Sequence, residues 1–406
     1  MQIYLDHSAT TPPCDVAIAA AQRVMTELWG NPSSIHSWGD RSAMVLETAR
    51  LQVATLINGD PTGVIFTSGG TEADNLAILG VAQRFTQPRH IISSQVEHSA
   101  IERTLERLEA QGWAITRLPV DRAGRVNPSD LALAIRPETV LVSIIFAQSE
   151  VGTLQPIAEL GTITRRSGAL FHTDAVQAVG RVAVDLQTLP VDLLSLSSHK
   201  IYGIQGAGAL WARPGINLAP QLLGGGQESK RRSGTQALPA IAAFGAAAER
   251  MAQTWETEAQ RLGQLRDRLF ERLAPLPALH PTGDRLHRLP HHVSFCLRGR
   301  LPLPSGRDLV RQLDRAGIAA SSGSACSSGS LTPSPTLLAM GYDPAEATAA
   351  LRLSLGQSTT EADIDWTALV LAQVLERLGV GQLNGGDRDS QRSVLGCATP
   401  GPCRYT

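Results

Sequence analysis

Lysine is almost missing from this chain. Of 36 basic residues among 406, two are lysine, Lys200 and Lys230. Net charge is missing as well: the formal value of −1 gives nothing to attract nucleic acid or an anionic membrane surface. No apolar run approaches the roughly 18 residues of a membrane span. The opening MQIYLDHSATTP lacks the basic-then-apolar pattern of a secretory signal, so a cytoplasmic protein is expected. The five cysteines, Cys14, Cys296, Cys326, Cys397 and Cys403, are odd in number and irregular in spacing, against a disulfide framework. Five residues separate Cys397 from Cys403, too many for a CxxC-type zinc pair, and no metal site is expected. Two nucleotide signatures are absent: there is no GxxxxGK[ST], and GIQGAGALW (203–211) does not match GxGxxG.

What is present is an ordinary globular composition, 43% apolar and 18% charged, long enough for two domains. Short β-branched runs alternate with amphipathic segments between about residues 60 and 212. Seven strands are expected: GVIFTS (63–68), HIISS (90–94), WAITRLPV (113–120), TVLVSIIF (139–146), ALFHT (169–173), VDLLSLS (191–197) and AGALWA (207–212). Helical periodicity fills most of the gaps, as in 99–112 and 156–168. The alternation implies an α/β domain with a mainly parallel sheet. Residues 237–275 read as one long helix leading into a smaller α/β unit built from HHVSFCL, GRDLVRQLDRAG, IAASS, LRLSLG and a helix near 361–378. The expected division is 16–258 for a large domain, with 1–15 and 259–380 forming a small one. Residues 381–406, rich in Gly, Ser and Arg, read as a disordered tail.

Ligands of open α/β sheets bind beyond the carboxyl ends of the strands. TSGGTEADN (67–75) sets Gly70 and Thr71 at a strand-to-helix turn, where free N–H groups face a phosphate; many turns look like this. His98 in QVEHSA stands where a strand yields to a helix, as a helix cap would. Asp174 in HTDAVQ ends a strand, with Gln177 one turn on, and an N-cap is an equal reading. Lys200 follows VDLLSLSSH at another strand mouth. Arginine stays charged and forms no Schiff base, so a lysine kept here in an arginine-dominated chain draws notice. Lys230, in ESKRR, reads as a solvated loop residue. Singly these are ambiguous; together they supply a phosphate cradle, a ring that can stack, an acid and an amine. Pyridoxal phosphate requires that set: the lysine holds its aldehyde, and the acid keeps its ring nitrogen protonated.

The motifs YLDHSATTP (4–12), GNPSSIHSWG (30–39), FTSGGTEADN (66–75), EHSA, HTDAVQ, SSHKIYG (197–203), RSGT (232–235), SSGSACSSGS (321–330) and RLSLG (352–356) occur in this order. As a set the chain resembles the cysteine desulfurases of the NifS/IscS type, fold-type-I pyridoxal-phosphate enzymes related to aspartate aminotransferase. Its serine-rich cysteine segment is similar to that of the long-loop group. The resemblance implies that Lys200 carries the cofactor as a Schiff base, Asp174 meets the ring nitrogen and Gln177 the ring oxygen. His98 stacks on the ring and assists proton transfer. Gly70, Thr71, Ser197 and His199 hold the phosphate, and Thr235 reaches the phosphate of the other subunit of a homodimer. Gln148 stands beside the cofactor where the family usually has asparagine. Arg352 and Asn31 hold the carboxylate of L-cysteine, a task suited to a guanidinium fork.

The resemblance also explains Cys326, a thiol among glycines and serines with no large apolar neighbour in its window. Such a segment reads as a mobile, solvent-facing loop. Cys326 takes sulfur from cysteine as a persulfide, L-alanine leaves, and the sulfur passes to an acceptor protein, for iron–sulfur clusters or thiolated cofactors. A rival reading keeps the cofactor but releases pyruvate, as a cysteine, cystine or selenocysteine lyase; such an elimination needs no protein thiol. A non-catalytic dimeric binding module and a nucleotide-binding protein are weaker alternatives. GIQG (203–206) and His7 depart from the family pattern.

Overall fold

The structure is a computed structural model, and it describes residues 2–323 and 332–380. The chain opens with β1 (Ile3–Tyr4), α1 (Asp15–Glu27) and α2 (Ser37–Leu56). Strands and helices then alternate: β2 (Val64–Thr67), α3 (Gly70–Ala82), β3 (His90–Ser94), α4 (Ser99–Glu109), β4 (Ala114–Leu118), α5 (Pro128–Ala134), β5 (Thr139–Ser143), α6 (Ile157–Ser167) and β6 (Leu170–Asp174). β7 (Leu193–Ser197) and β8 (Gly208–Ala212) complete this part, and α7 (Leu238–Leu273) leads away from it. The remainder comprises β9 (Leu279–Pro281), β10 (His292–Leu297), α8 (Gly306–Arg315), β11 (Ile318–Ala319), α9 (Pro335–Ala339), α10 (Pro344–Thr348), β12 (Ala350–Ser354) and α11 (Glu361–Arg377).

All seven expected strands join one sheet in the order β2-β8-β7-β6-β5-β3-β4. Its pairs are parallel except where β8 meets β2 and β7. Successive strand residues point to opposite faces, and here both faces are dry. Phe66, Ile92, Val142, Leu194 and Trp211 belong to one core, while their neighbours Ile65, Ile91, Leu141, Leu193 and Leu210 belong to another. Burial on both faces explains why these strands read as continuous apolar runs rather than alternating ones. β4, at the sheet edge, is the half-buried exception.

A third core holds Leu5, Leu262, Leu269, Phe295, Leu313, Leu353 and Leu371 around the antiparallel strands β12-β10-β9. α7 gives Phe244 and Ala248 to the first core and Leu262, Leu265 and Leu269 to this one. Capping boxes start α8 (Ser305 with Asp308) and α11 (Thr360 with Asp363), each satisfying two N–H groups that the helix itself leaves unpaired. α1 and α2 pack on α7, although the sequence SWGDRSAMVLETARLQVATL has too weak an apolar stripe to announce α2.

One turn between β8 and α7 is held against its own preference. Glu228, Ser229 and Lys230 have φ of 50°, 55° and 65°, a left-handed run that costs about 1–2 kcal/mol per non-glycine residue. Buried Glu228 answers with four hydrogen bonds. It accepts from Arg50 Nη1 at 2.8 Å and Nη2 at 3.1 Å, from the Phe66 N–H at 3.0 Å and from Gln236 Nε2 at 3.1 Å. Burial alone would raise the Glu228 carboxyl, but Arg50 and the Phe66 N–H outweigh it and hold it below its ordinary value of 4.5.

Glu228→Ala strands Arg50, a loss of about 3–5 kcal/mol typical of opening a buried pair. A urea titration checks this. For the milder Glu228→Gln, the deficit is full above the ordinary carboxylate value and shrinks as pH falls through the depressed one. Arg103→Ala, which opens the exposed pair with Glu106, leaves the urea midpoint in place.

Candidate active site

The carboxyl ends of β3, β6 and β7 share one edge of the sheet, and the polar groups gather there. Asp174 closes β6, with Ser195 of β7 beside it in register. His98 caps α4: its Nδ1 accepts the Ala100 N–H at 3.1 Å, so the neutral ring carries its proton on Nε2. β7 ends at Ser197 and the chain turns through Ser198–Lys200. Lys200 Nζ donates to the carbonyls of Ser8 at 2.5 Å and Ala9 at 2.7 Å, and Gln177 Nε2 donates to the same Ser8 carbonyl at 2.9 Å. His199 Nδ1 pairs with Thr10 Oγ1 at 3.0 Å, and burial with the nearby Lys200 charge pushes its pKa down to about 4. Residues 8–10 thus lie directly against the lysine turn.

Two further buried acids, Asp74 and Glu97, lie near Asp174. Burial raises its pKa, opposed by His98, the Val176 N–H and Lys200. Asp74, on α3, is raised well above the carboxylate range by burial and then by the Asp174 charge. Glu97 is pushed up to about 8 by burial, against hydrogen bonds from the Ser94 hydroxyl and the Ile145 N–H. Atoms of Asp74, His98 and Asp174 lie within 4.8 Å of one another. At an effective dielectric of about 20, two carboxylates at that spacing repel by about 3 kcal/mol. At neutral pH the acids therefore do not all ionise.

Next to them is a cradle for an anion. Gly70 begins the 13-residue α3, whose first N–H groups have no helical acceptor. A Cβ on Gly70 would come 2.8 Å from Val176 Cγ2, so a side chain there would crowd the turn. Ser197 Oγ, on the adjacent strand end, is buried with no hydrogen-bond partner among the described residues. Thr71 is exposed and lines a groove with Asn75, His98, Arg103 and Arg107.

On the other side stands Arg352 of β12, 3% exposed. Its Nη2 donates to Asp6 Oδ1 at 2.8 Å and its Nη1 to the Ser149 carbonyl at 3.1 Å, while Nε has no partner among the described residues. Its backbone pairs with Ser321 (Arg352 N to Ser321 O 2.7 Å, Ser321 N to Arg352 O 3.1 Å).

Asp174, His98, Lys200, Gln177, Ser197 and His199 are therefore gathered by the edge of one sheet and the N-terminal segment. Gln148 is differently engaged. Its Oε1 accepts the N–H of Glu150 at 2.5 Å and of Val151 at 3.1 Å, and its Nε2 donates to Thr336 Oγ1 at 3.1 Å. Both ends of this amide have protein partners, the oxygen in the turn that follows and the nitrogen on Thr336. Asn31 and Thr235 are exposed, and neither is hydrogen-bonded to the cluster among the described residues. Cys326, Cys397 and Cys403 lie outside the described residues.

Residue-by-residue reading misses Asp74, Glu97, His172 and Asp6. The signal for Asp74 is an acid on the dry side of α3, between Ala73 and Leu76–Ala77. For His172 it is a histidine two residues before Asp174 in an apolar strand, hence on the same face.

These donors suit a phosphorylated heterocyclic aldehyde: an amine for the carbonyl, a carboxylate for a ring nitrogen, and an unpartnered hydroxyl beside a helix N-terminus for the phosphate. Comparison with known proteins agrees. The family described as Aminotransferase class-V matches residues 3–366. The cysteine desulfurase IscS of Methanosarcina thermophila is 43% identical over 377 residues, 93% of this chain and 92% of that protein. A solved NifS-like protein superposes with a TM-score of 0.86 at 32% identity, over 93% of this chain and 100% of the other. The structure described as SspA in complex with cysteine gives a TM-score of 0.77 at 31% identity, over 87% of this chain and 99% of that one. The chain belongs to the class-V aminotransferase family, among its pyridoxal-phosphate-dependent cysteine desulfurases.

Proposed function

We propose that this enzyme removes sulfur from L-cysteine, leaving L-alanine and a persulfide on Cys326. The observation that carries the reading is the backbone pairing of Ser321 with Arg352. Ser321 is five residues before Cys326 in the sequence, so the chain leading toward the thiol passes the strand that bears the guanidinium suited to a substrate carboxylate.

Pyridoxal phosphate, when bound, supplies an electron-accepting ring joined to the substrate nitrogen. Lys200 would hold its aldehyde carbon, Asp174 its ring nitrogen, Gln177 its ring oxygen and His98 one ring face. Gly70, Thr71, Ser197 and His199 would hold its phosphate, with Thr235 reaching the phosphate of the second subunit. Arg352 binds the substrate carboxylate by releasing Asp6 and offering Nη2 with the unpartnered Nε, and Asn31 adds an amide. His98 moves protons through Nε2, because Nδ1 is spent on the helix cap. The Cys326 thiolate attacks the substrate sulfur. An S–S bond forms, the Cβ–S bond breaks, and the electron pair left at Cβ takes up a proton to complete alanine.

A homodimer completes the site. Met25, Trp29, Ile35, Trp38, Met44 and Leu51 are exposed apolar side chains on and between α1 and α2, and their concentration in this part of the chain supports the dimer reading. We also read 16–258 as the large domain and 1–15 with 259–380 as the small one, supported by the separate cores along α7. No helix among the described residues is long and apolar enough to cross a membrane, and we place the enzyme in the cytoplasm. The sulfur acceptor is a protein, an iron–sulfur scaffold being the fitting class.

The first test supplies purified enzyme with L-cysteine and a reductant and identifies the three-carbon product. Alanine with equimolar sulfide, lost in Cys326→Ser, supports the reading; pyruvate formed equally by both proteins makes the enzyme a lyase. The second concerns the dimer. Sedimentation should give twice the chain mass. Thr235→Ala should retain pyridoxal phosphate about tenfold less tightly without dissociating, as expected for one lost hydrogen bond to a charged group. A monomer, or a Thr235→Ala enzyme with unaltered affinity, removes Thr235 from the site.

A further inference from the structure

Asp74 has no part in the roles assigned so far, yet it is 1% exposed and directly behind Asp174. Its Oδ1 has no hydrogen-bond partner among the described residues. The titratable groups facing it come from four elements. β6 contributes His172, whose Nε2 is 3.8 Å from Asp74 Oδ1, and Asp174 itself. Glu97 follows β3, His98 caps α4, and Lys200 lies beyond Asp174 on the turn after β7.

Among the described residues, the groups that act most on Asp74 are Asp174, Ser195 and Glu97, none of them a cation. The ring nitrogens of His172 are engaged by Ser143 Oγ at 2.9 Å and Ser195 Oγ at 3.0 Å, and burial pushes the ring down to about 3, leaving it neutral. Ser195 offers Asp74 a hydroxyl and no charge. Asp174 is placed otherwise. The Val176 N–H donates to its Oδ1 at 3.0 Å, and His98 and Lys200 stand on its side. Of two acids too close to ionise together in a dry setting, the better-supported anion is Asp174.

We propose that Asp74 is a positioning residue: it keeps one proton as a neutral carboxylic acid, so that Asp174 alone carries the negative charge of the pair. The inference rests on the reading that Asp174 meets the ring nitrogen of the cofactor. With Asp74 neutral, that nitrogen is directed to a single carboxylate. An ionised Asp74 would place a second anion behind the first and divide the attraction between them. No proton leaves Asp74 during turnover; its effect is exerted through Asp174.

Infrared difference spectra of the holoenzyme at neutral pH read this directly. Asp74→Asn should delete a C=O stretch of a protonated carboxyl, and that band should survive Glu97→Gln, which removes its own. Deletion of an ionised-carboxylate band by Asp74→Asn overturns the proposal. Should Asp74→Asn not fold, wild-type enzyme carrying side-chain-labelled aspartate replaces it: a label-shifted protonated-carboxyl band supports the proposal, and its absence overturns it. Cofactor release gives a second readout. Asp74→Asn should release pyridoxal phosphate within about twofold of the wild-type rate. Release roughly tenfold faster would mean that an anion had been removed, and would overturn the proposal. Asp174→Asn tests the underlying reading separately, since wild-type release there would detach Asp174 from the cofactor whatever the infrared band of Asp74 shows.

Discussion

The site depends on one short piece of backbone, residues 5–11. Its hydrogen bonds run in both directions: Leu5 to Ala319, His7 to Ser354, Thr11 to His199, with the Ser354 N–H returning to Leu5. At its middle the Ser8 and Ala9 carbonyls receive the Lys200 ammonium, and the Thr11 hydroxyl accepts the Tyr202 N–H. The segment ties the antiparallel sheet of the third core to the lysine turn of the large sheet. Because its contacts are mostly main chain, its geometry is fixed by register more than by side-chain identity. Arg352 and Lys200 come from opposite ends of the sequence, and both reach the same seven residues, through Asp6 and through Ser8 and Ala9.

Burial sets the chemistry of the neighbouring groups. Asp174, Asp74 and Glu97 have lost most of their water, as have His199 and His172, and each is displaced toward its uncharged form. Desolvation comes first in every case, and local partners decide which group keeps a charge. Asp174 has Lys200, His98 and an N–H on its side, Asp74 has a hydroxyl, and His172 is braced by two serines. A row of polar groups, Ser143, His172, Ser195 and Asp74, therefore sits inside an otherwise apolar sheet sandwich with little net charge of its own.

The large sheet was legible because its strands are short, β-branched and dry on both faces, so that GVIFTS or VDLLSLS has no competing helical period. The long helix 238–273 and the capping-box helix at 361–377 were legible for the matching reason, a clear stripe and a marked start. α2 was not, since its apolar stripe is thin and its packing on α7 is decided by tertiary contact. At the site, Asp174, His98 and Lys200 stand at strand ends where sequence punctuation is strongest. Asp6 and Asp74 gain their meaning only from partners far along the chain, Arg352 and Asp174, which no local window contains. For Gln148 the sequence position says nothing of direction: its amide meets Glu150, Val151 and Thr336.

The scarcity of lysine has a practical side. Lys200 is enclosed by carbonyls at the sheet edge, whereas Lys230 sits exposed at the end of the left-handed turn. An amine-selective reagent therefore meets two ε-amino groups in utterly different surroundings, against a surface whose other cations are arginines and histidines. A single fluorophore on Lys230 would report on the turn that precedes Thr235. On the proposal that Lys200 holds the cofactor aldehyde, hydride trapping would mark that one residue in a mass spectrum with a single other lysine to compete.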